Sequence, residues 1–235
     1  MTTVLFIRHG RSTANTAGVL AGRTPGVELD ERGRAQAVAL AARLAGVRLD
    51  AVVASPLERT RQTAEPLLAG RPDALFELDE RFTECDYGTW SGRTLKSLAD
   101  EPLWRTVQAH PAAAAFPDGE SLAALSARAV AGVRAWNAKL GEQATYAVVS
   151  HGDVIKAIAA DALGMHLDLF QRIQVDPCSL TVVRYHGTRP GMLRLNDLGG
   201  EVGGLEQPQP TPDGAAGEGG RDDGSDAPVG GGAGA

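Results

Sequence analysis

The sequence predicts an α/β fold, a three-layer sandwich in which a mainly parallel sheet carries helices on both faces. Short apolar segments of strand character alternate with longer segments of helical spacing, which is typical of βαβ units. Two strand segments, residues 4–7 and 147–149, end just before His9-Gly10 and His151-Gly152. Ligands of open α/β sheets bind beyond the carboxyl ends of the strands. If these two strands are neighbours, both imidazoles face one small volume.

The first third of the chain predicts a strand, a long loop and a helix. Residues 3–7 are the first strand, and residues 10–29 are rich in glycine and lack apolar periodicity, which indicates a loop. Asp30 is a suitable N-cap for the helix that follows. We expect the buried face of this helix to consist of its recurring apolar residues, which are Ala35, Val38, Ala39, Ala42 and Leu44.

The second strand is predicted over residues 49–54, and a second helix follows it. Ser55 as N-cap and Pro56 at the first helical position are both helix-start signals. Arg59 then falls in the first turns of that helix, just beyond a strand end. Residues 75–78 predict a weak edge strand.

The middle of the chain predicts a functional loop and a long core helix. Residues 80–93 combine acids, aromatic residues and glycines, which favours a loop at the site. Residues 95–105 predict a helix that is interrupted at Pro102, and Ser121 caps a long helix with a strong apolar face. Residues 146–150 predict a core strand that leads into another helix.

The last part of the chain predicts two strands and then a change of character. Residues 180–185 and 192–195 indicate an antiparallel pair with Pro190 in its turn. From residue 199 onward, glycine, proline, alanine and acids dominate. We therefore predict a folded domain over residues 1–198 and a disordered tail over 199–235.

Composition excludes several classes of function. The tail carries the whole formal charge of −6, so the folded part is neutral and has no basic surface of the kind that binds nucleic acid. Cys85 and Cys178 are too few for a disulfide framework or a metal cluster. No leader or apolar stretch of membrane-spanning length is evident. We expect a cytoplasmic protein without a membrane partner, and the sequence leaves its oligomeric state open, with a homodimer as the state to test first.

The polar residues at the strand ends fit phosphoryl chemistry. Arg8 and Arg59 carry planar guanidinium groups that suit phosphoryl oxygens. A neutral imidazole is able to act as a nucleophile, and a second one stabilises the transferred group. A carboxylic acid is also needed to protonate the leaving oxygen. Glu84 and Asp86 are the candidates, and the residues alone do not decide between them.

Four motifs in this order resemble those of the histidine phosphatase superfamily, which has the phosphoglycerate mutase-like fold. They are Arg8-His9-Gly10-Arg11-Ser12-Thr13-Ala14-Asn15, Ser55-Pro56-Leu57-Glu58-Arg59-Thr60-Arg61-Gln62-Thr63-Ala64, Glu84-Cys85-Asp86-Tyr87-Gly88-Thr89-Trp90-Ser91-Gly92 and Ser150-His151-Gly152. The resemblance covers residues 1–198. It implies a phosphomonoester hydrolase that needs no metal and no other cofactor and acts on a small phosphorylated substrate.

The resemblance also implies roles for individual residues. His9 would be the phospho-accepting nucleophile and Glu84 the proton donor. The residues implied to bind phosphate or substrate are Arg8, Asn15, Arg59, His151, Ser12, Gly22, Arg23 and Gly152. Ser12 stands where the family usually has threonine, and residues 24–29 depart from the family's commoner form.

Four other readings compete with this one. A phosphoglycerate-type mutase uses the same first half-reaction, but the stretch between Glu84 and His151 is short compared with cofactor-dependent mutases, which favours a phosphatase. A non-catalytic phosphate-recognition module would not require a nucleophile and an acid. A metal hydrolase could use His9, His151 and Asp153, but the neighbouring arginines would repel a cation. The spacing from Cys178 to Arg184 fits a cysteine phosphatase, but the intervening residues have strand character instead of forming a phosphate-binding loop.

Overall fold

The computed structural model describes residues 1–187 and 189–200. It contains one six-stranded sheet with the strand order β3-β2-β4-β1-β5-β6. The strands are β1 (Thr2–Arg8), β2 (Ala51–Ala54), β3 (Leu75–Leu78), β4 (Thr145–Ser150), β5 (Leu180–Tyr185) and β6 (Pro190–Asp197). The first four strands in this order are parallel, and β5 and β6 add to β1 in antiparallel fashion. The predicted mainly parallel sheet is therefore confirmed, with an antiparallel edge.

The helices cover both faces of the sheet and complete the predicted sandwich. They are α1 (Thr13–Thr16), α2 (Glu31–Arg43), α3 (Glu58–Ala69), α4 (Leu95–Leu98), α5 (Pro102–Ala109), α6 (Leu122–Leu140) and α7 (Gly152–Leu163). Leu40 of α2 and Leu67 of α3 belong to the core on one face, whereas Leu125 of α6 and Ile155 of α7 belong to the core on the other. Each helix pair thus removes one side of the sheet from water.

Alternation along the central strands explains why both faces are apolar. In β1, Val4 and Phe6 point into the α6–α7 core, whereas Leu5 and Ile7 point into the α2–α3 core. Successive side chains of a strand face opposite sides, so a strand that is covered on both sides needs an unbroken apolar run. The apolar segments of the sequence have this character because their strands lie in the middle of the sandwich.

The predicted buried face of α2 is confirmed at Leu44 and wrong at Ala35, Val38, Ala39 and Ala42, which are exposed. Asp30 caps this helix as predicted, but its buried residues are Gly33, Ala37 and Leu40, followed by Leu44. Val38 is 59% exposed. The helix is rich in alanine, so apolar periodicity alone did not distinguish its two sides.

The predicted start of α3 is also wrong. The helix begins at Glu58 with Leu57 as N-cap, and Leu57 makes no side-chain capping hydrogen bond. Ser55 precedes the N-cap, and its hydroxyl oxygen lies 2.8 Å from Nε2 of His151 and accepts a long hydrogen bond of 3.5 Å from the backbone N–H of Leu57. Arg59 nevertheless lies in the first turn, as expected.

Smaller differences concern the loops and the last strands. Residues 13–16 form the short helix α1 inside the predicted loop. The helix expected over residues 95–105 is divided into α4 and α5, with Pro102 as the first residue of α5. Pro190 begins β6 opposite Tyr185 and does not lie in the turn. The long helix capped by Ser121 and the edge strand β3 are both confirmed.

The predicted disordered tail falls almost entirely on residues 201–235, which lie outside the described residues. In the ranges 1–187 and 189–200, no helix has the length and apolar character needed to cross a membrane.

Candidate active site

Three neighbouring parallel strands end at the candidate site. Arg8 of β1 lies opposite Ser150 of β4, so His9 and His151 each follow their strand at the same level. The next strand in the sheet, β2, ends at Ala54 and is followed by Ser55. The backbone N–H groups of His9 and Ser55 both donate to carbonyls at the end of β4. The ends of these three adjacent parallel strands thus bring His9, His151 and Ser55 close together.

His9 and His151 are neighbours, as expected from the two strand ends. Their ring centroids are 5.3 Å apart at an interplanar angle of 60°. The Nδ1 atom of His9 lies 2.7 Å from the carbonyl oxygen of Gly10, which only accepts hydrogen bonds. Nδ1 therefore carries the proton, and Nε2 keeps a lone pair for reaction.

His151 is oriented from two sides. The Nη2 group of Arg59 donates to Nδ1 of His151 over 3.2 Å, and Nε2 of His151 lies 2.8 Å from the hydroxyl oxygen of Ser55. Because Nδ1 accepts a hydrogen bond, Nε2 carries the proton and donates it to Ser55. The sequence did not identify Ser55 as a site residue because its position before Pro56 also fits a helix cap.

Both imidazoles are neutral in the free site. Burial and the charges of Arg59 and Arg8 lower the pKa of His9 well below its usual value. Burial and the charge of Arg59 do the same to the pKa of His151, with smaller effects from His9 and Arg8. A neutral imidazole has the lone pair that a nucleophile needs.

Two buried guanidinium groups give the site its positive charge. Nη1 of Arg8 donates to the carbonyl of Val175 over 2.8 Å, and Nη2 of Arg59 donates to the carbonyl of Gly22 over 2.8 Å. The buried Nε and Nη1 atoms of Arg59 have no hydrogen-bond partner among the described residues. A buried donor without a partner is costly, so the Nε and Nη1 donors of Arg59 are available to bind an anion.

Glu84 is a buried acid beside these cations. Glu84 is 3% exposed, and its Oε1 atom accepts a hydrogen bond from the backbone N–H of Cys85. Burial and the charge of Asp153 raise the pKa of Glu84 to about 7, whereas the Cys85 hydrogen bond, Arg59 and Arg8 act in the opposite direction. An acid with this pKa is able to donate or accept a proton near neutral pH.

Asp86, the other candidate acid, has a local role. Its Oδ1 atom accepts from the backbone N–H of Gly88 and stabilises the turn that follows. Its backbone N–H donates to Glu120. The surroundings of the two acids therefore favour Glu84 over Asp86 as the proton donor.

Arg23 borders the site beside Glu84. Its Nε group donates to the backbone carbonyl of Glu84, and its Nη2 group donates to Glu120. Glu120 also accepts two hydrogen bonds from Arg128, which in turn donates to the carbonyl of Glu84. The side chain of Arg23 is 39% exposed, so it is able to contact a ligand at the rim.

Ser12 and Asn15 are held by each other at the start of α1. The backbone N–H and hydroxyl of Ser12 both donate to Oδ1 of Asn15, and the backbone N–H of Asn15 donates back to the Ser12 hydroxyl. The amide oxygen of Asn15 is thus occupied, and its NH₂ group is the part that is able to donate to an anion.

Glycines allow close backbone approaches at the site. A Cβ atom on Gly10 would lie 2.5 Å from the carbonyl oxygen of Gly33, so the loop after β1 crosses α2 only with glycine at this position. Gly22 has a φ of +52°, and a Cβ atom there would lie 2.7 Å from the hydroxyl oxygen of Ser91. Gly152 is the first residue of α7 and directly follows His151.

Sequence reasoning missed the buried polar groups behind the site. Tyr87 donates to Asp153 over 2.7 Å, and Lys156 lies 3.6 Å from the other oxygen of Asp153. The sequence indicates Asp153 only as a possible metal ligand. The position of Asp153, two residues beyond His151, indicates that it lies near the strand ends. Nothing in the sequence indicates its hydrogen bond to Tyr87.

The segment with cysteine phosphatase spacing is a strand for most of its length. Residues 180–185 form β5 and pair with β1, so their backbone N–H groups do not surround a phosphate. Cys178 is buried, and its backbone N–H donates to the carbonyl of Arg8. Over the described ranges, no group of three or more His, Cys, Asp or Glu residues is arranged to hold a metal ion.

Comparison with known proteins identifies the family. The phosphoserine phosphatase 1 of Hydrogenobacter thermophilus is 32% identical over 199 residues, which cover 83% of this chain and 92% of that protein. The probable phosphoglycerate mutase GpmB of Enterobacter sp. strain 638 is 32% identical over 187 residues, with 79% and 86% covered. The structure of a mycobacterial glucosyl-3-phosphoglycerate phosphatase in complex with VO3 is similar with a TM-score of 0.76 and 28% identity, covering 83% of this chain and 98% of that one. The sequence profile of the histidine phosphatase superfamily (branch 1) matches residues 4–198, and the chain therefore belongs to this superfamily.

Proposed function

We propose that this protein is a metal-independent phosphatase that hydrolyses a small phosphomonoester through a phosphohistidine at His9. The observation that carries the proposal is the buried pair of neutral imidazoles, 5.3 Å apart, with the unpartnered Nε and Nη1 donors of Arg59 beside it. Two phosphatases are among the similar proteins. Family membership and site geometry thus support the same activity.

In the first half-reaction, Nε2 of His9 attacks the phosphorus atom. A P–N bond forms while the P–O bond to the alcohol breaks, and Glu84 gives its proton to the leaving oxygen. Arg8 and Arg59 bind the phosphoryl oxygens and stabilise the charge on the group as it is transferred. His151 joins them when its Nε2–H group donates to a phosphoryl oxygen in place of the Ser55 hydroxyl. The proton on Nδ1 of His9 stays hydrogen-bonded to Gly10 throughout.

In the second half-reaction, the ionised Glu84 removes a proton from water. The water oxygen attacks phosphorus, the P–N bond breaks, and inorganic phosphate leaves. His9 then has its lone pair again, and Glu84 is again protonated. A pKa of about 7 suits Glu84 to both steps, because each protonation state is accessible near neutral pH.

The substrate is proposed to be a small phosphorylated metabolite whose alcohol part lies beside Arg23. Glu84 meets the leaving oxygen, and Arg23 is bonded to the backbone of Glu84, so the group attached to that oxygen lies near Arg23. The similar proteins are named for phosphoserine, phosphoglycerate and glucosyl-3-phosphoglycerate. Asn15, Ser12, Gly22 and Gly152 complete the proposed phosphate-binding set.

A phosphoglycerate-type mutase is the second candidate, because probable phosphoglycerate mutases are among the similar proteins. Both activities begin with phosphoryl transfer to His9, and they differ in whether water or a second substrate oxygen receives the group. The short stretch between Glu84 and His151 supports access of water. Release of one inorganic phosphate per substrate consumed, without an isomeric phosphoester, identifies the phosphatase.

A screen of phosphomonoesters with the purified protein tests the proposal, with His9→Ala as the blank. We expect phosphate release from at least one small phosphomonoester and a loss of roughly 10⁴-fold or more in His9→Ala, because the proposed acceptor of the phosphoryl group is removed. His110→Ala is the matched control, since the His110 side chain is 73% exposed. Equal activity of His9→Ala and the parent protein would refute the phosphohistidine route.

Two further measurements separate the remaining alternatives. Full activity in excess chelator is expected, because the guanidinium groups of Arg8 and Arg59 repel a divalent cation; activity that is lost and then restored by added metal would indicate a metal hydrolase. A burst of phosphohistidine after mixing with substrate is expected from the enzyme. A phosphate-recognition module would bind the ester and leave it intact.

The location and assembly of the protein belong to the same proposal. We infer a cytoplasmic enzyme, in accordance with its use of cysteine and its neutral folded part, and the homodimer is the assembly to test. Light scattering during size-exclusion chromatography measures the mass directly. Fractionation of cells that express the full chain tests the location.

A further inference from the structure

Three buried polar side chains behind the site take no part in the proposed reaction. Tyr87 and Asp153 are fully buried, and Lys156 is 2% exposed. The hydroxyl of Tyr87 donates to Oδ2 of Asp153 over 2.7 Å, and Nζ of Lys156 lies 3.6 Å from Oδ1. Buried charges are costly, so an ion pair retained at this depth calls for an explanation.

The hydrogen bond between Tyr87 and Asp153 joins two parts of the site. Tyr87 is three residues beyond Glu84 in the same loop, and Asp153 is two residues beyond His151 in the first turn of α7. The ring of Tyr87 packs edge to face against Phe116, with 4.9 Å between the ring centroids. A movement of the loop that carries Glu84 would therefore break a buried hydrogen bond to the helix that follows His151.

Lys156 keeps the carboxylate of Asp153 in place and compensates its charge. Nζ of Lys156 also donates to the side chain of Gln171 over 3.0 Å and lies above the ring of Phe170. Burial lowers the pKa of Lys156, and the charge of Asp153 acts against that decrease. The lysine is thus held on the far side of Asp153 by contacts of its own.

Charged and titratable groups from several elements face Glu84. They are Arg8 and His9 at the end of β1, Arg59 on α3, Cys85 and Tyr87 in its own loop, Asp153, Lys156 and His151 at the start of α7, and Arg23, Arg128 and Glu120 around its backbone carbonyl. The cations favour the ionised form of Glu84. The negative charge of Asp153 opposes the effect of these cations, because it favours the protonated form of Glu84. After burial, it is the largest cause of the raised pKa of Glu84.

We propose that Asp153 is a positioning residue for the proton-transfer step, which fixes the loop of Glu84 through Tyr87 and places a buried negative charge behind that acid. The inference rests on the proposed function, in which Glu84 donates a proton to the leaving oxygen. Asp153 touches neither the substrate nor the reacting atoms. It acts on the reaction through Glu84.

The dependence of kcat/KM on pH tests this role, with an alkyl phosphate as substrate because its leaving group needs a proton. The parent protein should lose activity with rising pH around the pKa of Glu84, about 7, because the acid becomes ionised. In Asp153→Asn, the decrease should move to lower pH by on the order of one unit, which amounts to roughly tenfold less activity at pH 8 and little change at pH 5. In Lys156→Met, the decrease in kcat/KM should move to higher pH, because a positive charge near Glu84 is lost.

A double variant controls for misfolding, because Asp153→Asn leaves the charge of Lys156 without its partner. Asp153→Asn/Lys156→Met has neither charge, so its comparison with Lys156→Met isolates the charge of Asp153. The midpoint should again move to lower pH in the double variant. Equal midpoints in these two folded proteins would overturn the charge role.

A matched variant separates the charge from the tether. Tyr87→Phe removes the hydrogen bond and leaves the charge of Asp153, so we expect a lower kcat for the alkyl phosphate without a shift to lower pH. An unchanged kcat in Tyr87→Phe would overturn the tether. The kcat/KM for para-nitrophenyl phosphate, whose leaving group hardly needs a proton, should change little in every variant.

Glu84→Gln distinguishes failure of this inference from failure of the proposed acid. If that substitution removes the decrease near pH 7 and the Asp153 variants do not move it, then Glu84 is the acid and the role of Asp153 is wrong. If Glu84→Gln retains the decrease, the acid is another residue, and the inference falls with it.

Discussion

The difference between Glu84 and Asp86 is one of burial, although both acids lie in the same loop. Glu84 faces the two buried arginines, and its pKa is raised to about 7. Asp86 is half-buried and accepts a hydrogen bond from the turn that it precedes. Only one of these acids has surroundings that suit a proton donor near neutral pH.

We predict that Glu84→Gln slows hydrolysis of alkyl phosphates by roughly 10²–10⁴-fold, because the leaving alkoxide is no longer protonated. The kcat/KM for para-nitrophenyl phosphate, which reports the transfer to His9 and not the later attack of water, should decrease far less. Steady-state kinetics with both substrates at pH 6 measure the difference, and Asp86→Asn is the control. Equal slowing of both substrates would move the acid role elsewhere, first to Asp86.

Arg59 and Arg61 lie two positions apart on α3 and test the role of the buried guanidinium. Arg59 is buried against His151, whereas Arg61 is exposed. Arg59→Ala should lower kcat/KM by roughly 10²–10³-fold, because a donor to the transferring group is lost. Arg61→Ala should leave kcat/KM unchanged in the same assay. A similar loss in both variants would indicate a general electrostatic effect and not a bound phosphoryl group.

At the scale of elements, α2 shows how a helix rich in alanine is misread. Its predicted apolar face is mostly exposed, and the helix packs through Gly33, Ala37 and Leu40. Gly33 is on the buried side because the loop after His9 crosses the helix there, and a Cβ atom on Gly33 would lie 2.0 Å from the carbonyl oxygen of Arg11. The position of the loop after His9, and not the number of apolar residues, selects the face.

The corrected face of α2 predicts opposite results for two neighbouring positions. Ala37→Asp should destabilise the protein by about 3 kcal/mol, because it places an unpaired carboxylate in the core. Val38→Asp should change the free energy of unfolding by no more than about 0.5 kcal/mol, because Val38 is exposed. Urea unfolding of both variants measures the difference, and the reverse order would restore the face predicted from the sequence.

At the scale of the whole molecule, three buried groups with shifted pKa values, His9, His151 and Glu84, contribute to the dependence of stability on pH. The pKa of His9 and that of His151 are lowered in the fold, so their contributions are present above about pH 6.5 and are lost as the pH falls. The pKa of Glu84 is raised from 4.5 to about 7, so its contribution is present below pH 4.5 and is lost as the pH rises through 7. Between pH 5 and 6.5, the two histidines outweigh the one acid.

We therefore predict that the substrate-free protein is less stable at pH 5 than at pH 7. The difference in the free energy of unfolding should be on the order of 1–2 kcal/mol, since each group contributes about 1.4 kcal/mol per pH unit where its protonation differs between the two states. Urea unfolding at both pH values measures it. His9→Asn should reduce the dependence on pH and Glu84→Gln should increase it, whereas equal stability at both pH values would mean that the imidazoles are charged in the fold.

Much of the fold was predictable, because strand and helix patterns have local causes. The first strand, the edge strand and the helix capped by Ser121 all follow from alternation, apolar runs and capping residues within a few positions of each other. Errors occurred where a local signal competed with a distant contact. Ser55 has the side chain of a helix cap, but its hydroxyl is bonded to His151, 96 positions away.

The sequence by itself determined that His9 and His151 follow two buried strands, because a strand and the residue after it are encoded in one short stretch. The resemblance in four motifs then indicated their roles and favoured Glu84. Only the tertiary structure decided which imidazole nitrogen carries a proton, which acid is buried, and which groups tune that acid. These properties depend on the carbonyl of Gly10, the hydroxyl of Ser55 and the carboxylate of Asp153, and the fold alone places such groups against their partners.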